Sequence, residues 1–180
     1  MFSRLKTFSI LLGMVVVCLA VSATANASVT PRSQAEEIRH QVIMGAYYGS
    51  FDWIDAEIVT NNIVVLHGQV RLPAAKTDAE ARVRRIDGVA KVVNEIEVLP
   101  VSQNDDQIRI AMYRALFRYD SPLFRYSNPV VSSIHIVVNN GRVSLKGIVG
   151  DGMDRQLATV AARTVSGVFE VNNELTLDKS

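Results

Sequence analysis

The sequence predicts an α+β protein built from two tandem αββαβ units, each a three-stranded mixed sheet packed by two helices. The main observation is an internal repeat. A shift of 79 residues places Val64-Val-Leu66-His-Gly68-Gln-Val70 on Val143-Ser-Leu145-Lys-Gly147-Ile-Val149, and Gly88-Val89-Ala-Lys-Val92-Val-Asn94-Glu95 on Gly167-Val168-Phe-Glu-Val171-Asn-Asn173-Glu174, without a gap. Between Val64 and Val98, 11 of 35 positions are identical to their counterparts, so one unit occurs twice. Two further observations set the class: each copy has alternating apolar segments that meet at asparagine-rich turns, and each such hairpin is flanked by segments of helical spacing. Two copies are too few for a solenoid, which needs about three before its core closes.

Each element has its own local warrant. Ser33 to Ala46 carries Ala35, Ile38, Val42 and Ala46 at helical spacing, with Ser33 and Glu36 in the pattern of a capping box. Asp105 to Tyr119 carries Ile108, Met112, Ala115, Leu116 and Tyr119 on one stripe, and Asp105 and Asp106 place negative charge in its first turn. The strands Ala56 to Thr60 and Ile134 to Val138 run into Asn61-Asn62 and Asn139-Asn140-Gly141, residues that tolerate the positive φ of a tight hairpin, and return as Val64 to Val70 and Val143 to Val149. The second helices start at Pro73 and behind Asp151 as N-cap, and are expected to stop at Gly88 and Gly167 as left-handed C′ residues. Val89 to Val98 and Val168 to Leu177 close the units as strands. Gly68 and Gly147 sit inside strands, where glycine weakens the structure, so a helix is expected to pass close to the hairpin there.

The first 27 residues read differently. Arg4 and Lys6 form a basic start, Ile10 to Val21 is apolar, and Ala25-Asn26-Ala27 offers a cleavage site, so residues 1–27 are expected to be a signal peptide cut after Ala27. The domains are then 28–102 and 103–180. The apolar run is shorter than the roughly 20 residues a membrane-spanning helix needs. Cys18, the one cysteine, lies in that run behind Val17 and not behind a small residue, so a lipoprotein site is not expected. The mature chain then has no thiol for a disulfide, a metal ligand or a nucleophile. It carries 17 basic against 18 acidic residues, a balance that argues against nucleic acid as a partner.

The strand-Asn-Gly-strand hairpin, the Val-x-Leu-x-Gly-x-Val return strand and the closing Gly167-Val168-Phe-Glu-Val171-Asn172-Asn173-Glu174-Leu175 resemble the BON family (bacterial OsmY and nodulation), and the likeness covers residues 33 to 178. The first copy departs from it with Asn61-Asn62-Ile63 at the turn. The resemblance, with the signal peptide, implies a periplasmic, non-enzymatic protein that associates with phospholipid or with envelope proteins in transit.

Residue chemistry agrees with that implication. His67 and His135 are expected on outward strand faces, and Glu36 with His40 offers two ligands at most, so no metal and no cofactor are expected. Asp151 and Asp154 read as helix-start residues, and Asp52 and Asp55 bracket Trp53 without a catalytic context. Gly147, Gly150 and Gly152 lack the Lys-Ser/Thr of a phosphate loop. One cluster stands out. Of ten aromatic residues after residue 27, nine follow or end the first helix of a unit, and in the second unit they interleave with arginines. Tyr113, Arg114, Phe117 and Arg118 fall beside the core stripe of the helix, and Phe124, Arg125 and Tyr126 follow in a loop about eight residues longer than its counterpart. These seven are the candidate binding residues, for an anionic phospholipid surface or, on the same aromatics, for unfolded outer-membrane proteins; the other reading is that the aromatics fill the gap between the two units, with the loop from Asp120 to Ser133 folding back as a lid. The structural residues are Gly68, Gly88, Gly147 and Gly167. Residues 28–102 sum to −2 and 103–180 to +1, which favours the second unit as the membrane-facing one.

Overall fold

A computed structural model describes residues 33–128 and 132–178; the expected signal peptide lies outside them. The first unit runs α1 (Gln34–Ile43), β1 (Trp53–Val59), β2 (Ile63–Val70), α2 (Pro73–Val83), β3 (Lys91–Asn94) and β4 (Glu97–Val98). The second runs α3 (Gln103–Leu116), a 3-10 turn at Pro122–Tyr126, β5 (Ile134–Asn139), β6 (Arg142–Val149), α4 (Gly152–Arg163) and β7 (Glu170–Leu177). In both sheets the hairpin is antiparallel and the closing strand returns parallel to the second strand, as a helical crossover requires. The fold is α+β with two units of the expected order. No described helix is long and apolar enough to cross a membrane.

The two hairpin loops share a pair of positive φ angles but differ in length: Thr60, Asn61 and Asn62 lie between the paired Val59 and Ile63, whereas only Asn140 and Gly141 lie between the paired Asn139 and Arg142. Asn61 and Asn62 stand at φ 61° and 56°, and Asn140 and Gly141 at φ 51° and 73°; in the second hairpin these are the paired positive angles of a two-residue turn that follows the strand twist. Gly68 and Gly147 do mark a close approach, but its partner is backbone and not a helix. With φ +134° and +123°, a β-carbon at these positions would run into the carbonyls of Trp53 and Ser133 at the start of the paired strands. Gly88 and Gly167 have positive φ, 86° and 84°, yet they sit in a separate turn past the helices, which end at Val83 and Arg163.

The caps explain where the helices begin. Ser33 and Glu36 form the complete capping box, and Asp151 accepts from the Asp154 N–H. In α3 the cap is Ser102, which accepts from Asp105 N–H. Asp105 itself is buried, accepts the N–H groups of Asn140 and Gly141 at 2.9 Å each, and so ties the helix to the hairpin turn. Both first helices are shorter than their apolar spacing suggested, ending at Ile43 and Leu116. Ala46 and Tyr119 therefore leave the core stripe, and Tyr119 is 90% exposed.

Each unit has its own core. Ile38, Val42, Val64, Leu66 and Val83 centre the first; Ile108, Met112, Leu116, Ile136 and Leu145 centre the second. The asparagine of the closing motif joins helix to sheet in both. Asn94 donates to Lys76 O and accepts from Ile96 N–H, and Asn173 donates to Arg155 O and accepts from Leu175 N–H. In the first unit the closing strand breaks at this asparagine into β3 and β4.

The segment before β1 crosses the open edge of β5. Ile136 N–H donates to Ser50 O at 2.8 Å, and His135 Nδ1 donates to Gly49 O at 3.2 Å. Tyr48 and Trp53 pack on the imidazole with ring centres at 5.2 and 5.3 Å. His135 and Val137 are consequently buried, which corrects the expectation of an outward His135: strand alternation places the side chain, but the first unit covers that face. Burial holds the His135 pKa below the ordinary histidine value. His67, on the uncovered face of its strand, is exposed and faces Glu95 at 3.3 Å.

Candidate binding surface

The candidate residues separate where α3 ends. Ile108, Met112 and Leu116 recur at i+4 and point inward, while Arg114 is exposed. At Leu116 the helix stops, and Phe117 as C-cap (φ −107°, ψ 40°) turns its ring into the core, where it is 6% exposed. Tyr113 is half-buried, edge-on to Phe117 at 4.8 Å and to Phe51 of the first unit at 6.1 Å. Phe117 is therefore a core residue and Tyr113 a contact between units, not parts of an open helix face as their wheel positions suggested.

The chain then folds back over its own unit as a strap. Ser121 accepts from Leu123 N–H to start the 3-10 turn, and Leu123 is buried as its apolar anchor. Phe124, next in sequence, is 43% exposed and meets the ring of Tyr119 edge-on at 5.4 Å. Arg125 and Tyr126 turn toward the start of α4. Both reach the carboxylate of Asp154, Arg125 by an ion pair and Tyr126 by a 2.5 Å hydrogen bond, and the Tyr126 hydroxyl accepts from Gly150 N–H at 2.8 Å.

What remains open to solvent is a small aromatic ridge past the C-terminal end of α3, made by Tyr119 and Phe124, with exposed Arg118 next to Tyr119 in the chain and exposed Arg114 in the last turn of α3. At the start of α4, the element the strap packs on, Met153 is 65% exposed. Sequence reasoning missed Tyr119, which the helical stripe assigned to the core, and Met153; the signal was that α3 carries no apolar residue one turn past Leu116 except Tyr119 itself. The charge is more balanced than the arginine count suggested. Arg109 is buried against Val138 O and Asp106, Arg118 is bidentate on Asp120 at 2.6 and 3.1 Å, and Arg125 is held by Asp154. Hydrogen bonding to Arg118 lowers the Asp120 pKa, so that pair stays charged. Among the described residues, Arg114 is the one arginine of the cluster with no ion pair.

Asp52 is buried and accepts from Arg71 N–H at 2.7 Å and Gly49 N–H at 3.1 Å, and desolvation raises its pKa. Among the described residues no group of three or more histidine and carboxylate side chains is placed to hold a metal ion.

A comparison with protein families matches the BON domain to residues 34–100 and 118–179. No curated protein matches the chain. Among solved structures, the C-terminal domain of CdsD, a structural protein of the Type III secretion system of Chlamydia trachomatis, aligns at 12% identity and a TM-score of 0.33, covering 79% of this chain and 96% of that one. A second CdsD structure aligns at 14% identity and a TM-score of 0.28, covering 80% and 92%.

Proposed function

The chain belongs to the BON domain family, and from that premise we propose that it is a non-enzymatic protein of the Gram-negative periplasm, of the osmotically inducible OsmY type, that supports envelope integrity by binding phospholipid membrane surfaces through its second unit. The observation that carries this reading is the exposed Tyr119–Phe124 pair, with exposed Arg118 next to Tyr119 in the chain and exposed Arg114 in the last turn of α3. Two aromatic rings side by side on a surface lose apolar contact with water when they settle at a bilayer interface. Each ring contributes about 1.5–3 kcal/mol if fully transferred, and the unpaired Arg114 adds about 1 kcal/mol near anionic headgroups. That total corresponds to reversible binding with a Kd of about 10 μM to 1 mM.

Co-sedimentation with vesicles of phosphatidylglycerol and phosphatidylethanolamine tests the reading. Tyr119→Ala/Phe124→Ala is expected to reduce the pelleted fraction at least about tenfold, while leaving the fold intact because both rings lie outside the core. Equal pelleting of the variant and the unaltered protein overturns it.

The internal pairing of Arg118 and Arg125 favours one second reading, a holdase that takes apolar segments of unfolded outer-membrane proteins on the same ridge. Salt separates the two: attraction to anionic lipid weakens as ionic strength rises, and apolar capture does not.

A further inference from the structure

We propose that Asp154 is a positioning residue for the aromatic ridge, a clamp that fixes the strap on which Phe124 is presented. The proposal rests on the lipid-binding reading of that ridge and adds how the ridge is held in shape.

Asp154 stands at the third position of α4 and is 3% exposed, although the N-cap there is already supplied by Asp151. Its Oδ2 receives both Arg125 and Tyr126, and the Tyr126 hydroxyl in turn receives Gly150 N–H. The strap is thus joined to the start of α4 chiefly at the Asp154 carboxylate, with the Asp151 carboxylate at the longer distance of 4.0 Å from the Arg125 guanidinium, which itself lies 5.0 Å from the Tyr126 ring centre. Phe124 is the residue immediately before this clamp, and Leu123 immediately before that is buried, so the ring is held between two fixed points.

The first unit shows what the scaffold does without it. At the place aligned with Asp154 stands Ala75, also buried, and α2 has no side-chain cap hydrogen bond. The connection between its first helix and first strand is short and carries no strap. A helix start in this fold therefore does not need the carboxylate, and the unit that has it is the unit with the exposed aromatic pair. A loop that must be ordered on binding loses affinity to that ordering, so a strap fixed in advance keeps more of the burial free energy of Phe124.

The test uses Asp154→Ala, which installs the residue the first unit tolerates, and the double variant Arg125→Gln/Tyr126→Phe, which removes the clamp from the strap side with Asp154 in place. Amide hydrogen exchange over residues 121–127 and at Gly150 is expected to rise roughly fivefold or more in both, with exchange in β5 and β6 unchanged. Pelleting with phosphatidylglycerol–phosphatidylethanolamine vesicles is expected to fall roughly fivefold in both. Faster exchange with unchanged pelleting, or unchanged exchange, overturns the clamp as a positioning device while the lipid reading stands. Failure of the unaltered protein to pellet, or pelleting that Tyr119→Ala/Phe124→Ala leaves unchanged, removes the lipid reading and the positioning role with it, and the exchange data then report a structural clamp only.

Discussion

The two units share a scaffold and differ in what they do with one connection. Hairpin turn, close-approach glycine and helix-tying asparagine recur at aligned positions. In both, most of the aromatics lie in the connection between the first helix and the first strand, with Trp53 opening β1 and Tyr113 in the last turn of α3. The first unit turns that segment inward: Tyr48, Phe51 and Trp53 pack on Tyr113 and His135, and Ser50 caps the edge of β5. The second unit lengthens it and folds it over α4, which leaves Tyr119 and Phe124 outside. One duplicated element thus becomes an internal seal in one copy and an exposed ridge in the other, because a ring is buried only where another surface comes to meet it.

The shared part of this comparison breaks first. Gly68→Ala and Gly147→Ala each force a β-carbon into a partner-strand carbonyl at a φ that L residues rarely adopt, and each is expected to cost about 3 kcal/mol or more. Urea denaturation measures this; a loss below about 1 kcal/mol in either would mean that the hairpin shifts to accommodate the methyl group.

The seal has a pH signature. The folded-state pKa of His135 is lowered by burial, partly opposed by the carbonyls of Gly49, Asp52 and Ser132, so its neutral form is the one the fold prefers. Its contribution is complete above the ordinary histidine value of about 6.5 and is lost as pH falls below it. The raised Asp52 carboxyl works in the opposite direction, gaining stability on protonation at lower pH. Tyr48, whose phenol is pushed up by burial, stays neutral throughout. His135→Gln isolates the imidazole. From about pH 7.5 to pH 5.5 the melting temperature of the unaltered protein is expected to fall relative to that of His135→Gln, and parallel curves would show that the imidazole does not titrate in the seal.

The smallest effect sharpens the charge assignment. Arg118→Ala removes a guanidinium already neutralised by exposed Asp120, and Arg114→Ala removes the unpaired one. On anionic vesicles the first is expected to change the pelleted fraction by less than about twofold, and the second to reduce it about fivefold at low salt. The reverse ranking would mean that Arg118 leaves Asp120 at the membrane.

Much of this fold was legible in the sequence because its signals are local. Asn61-Asn62 and Asn140-Gly141 state their turn conformation, Ser33 with Glu36 states a helix start, and the repeat supplies each unit with a second reading of the same element. Local signals placed the helix ends less well: the apolar stripe of α3 continues to Tyr119 in sequence, while the chain turns at Phe117. The candidate site was legible as a cluster of residue types. Which of them face out was not, since Phe117 and Tyr119 are two residues apart and have opposite fates.

The sequence by itself determined the duplication, the αββαβ order, the hairpin turns and the concentration of aromatics and arginines after the first helices, all of which follow from periodicity and backbone preference over a few residues. Only the tertiary structure decided that His135 is sealed by the first unit, that Asp154 is a clamp beyond its place at a helix start, and that Tyr119 and Phe124 are the exposed pair. Burial and ion pairing depend on residues 28 to 86 positions away along the chain, and no local pattern encodes which distant surface will arrive.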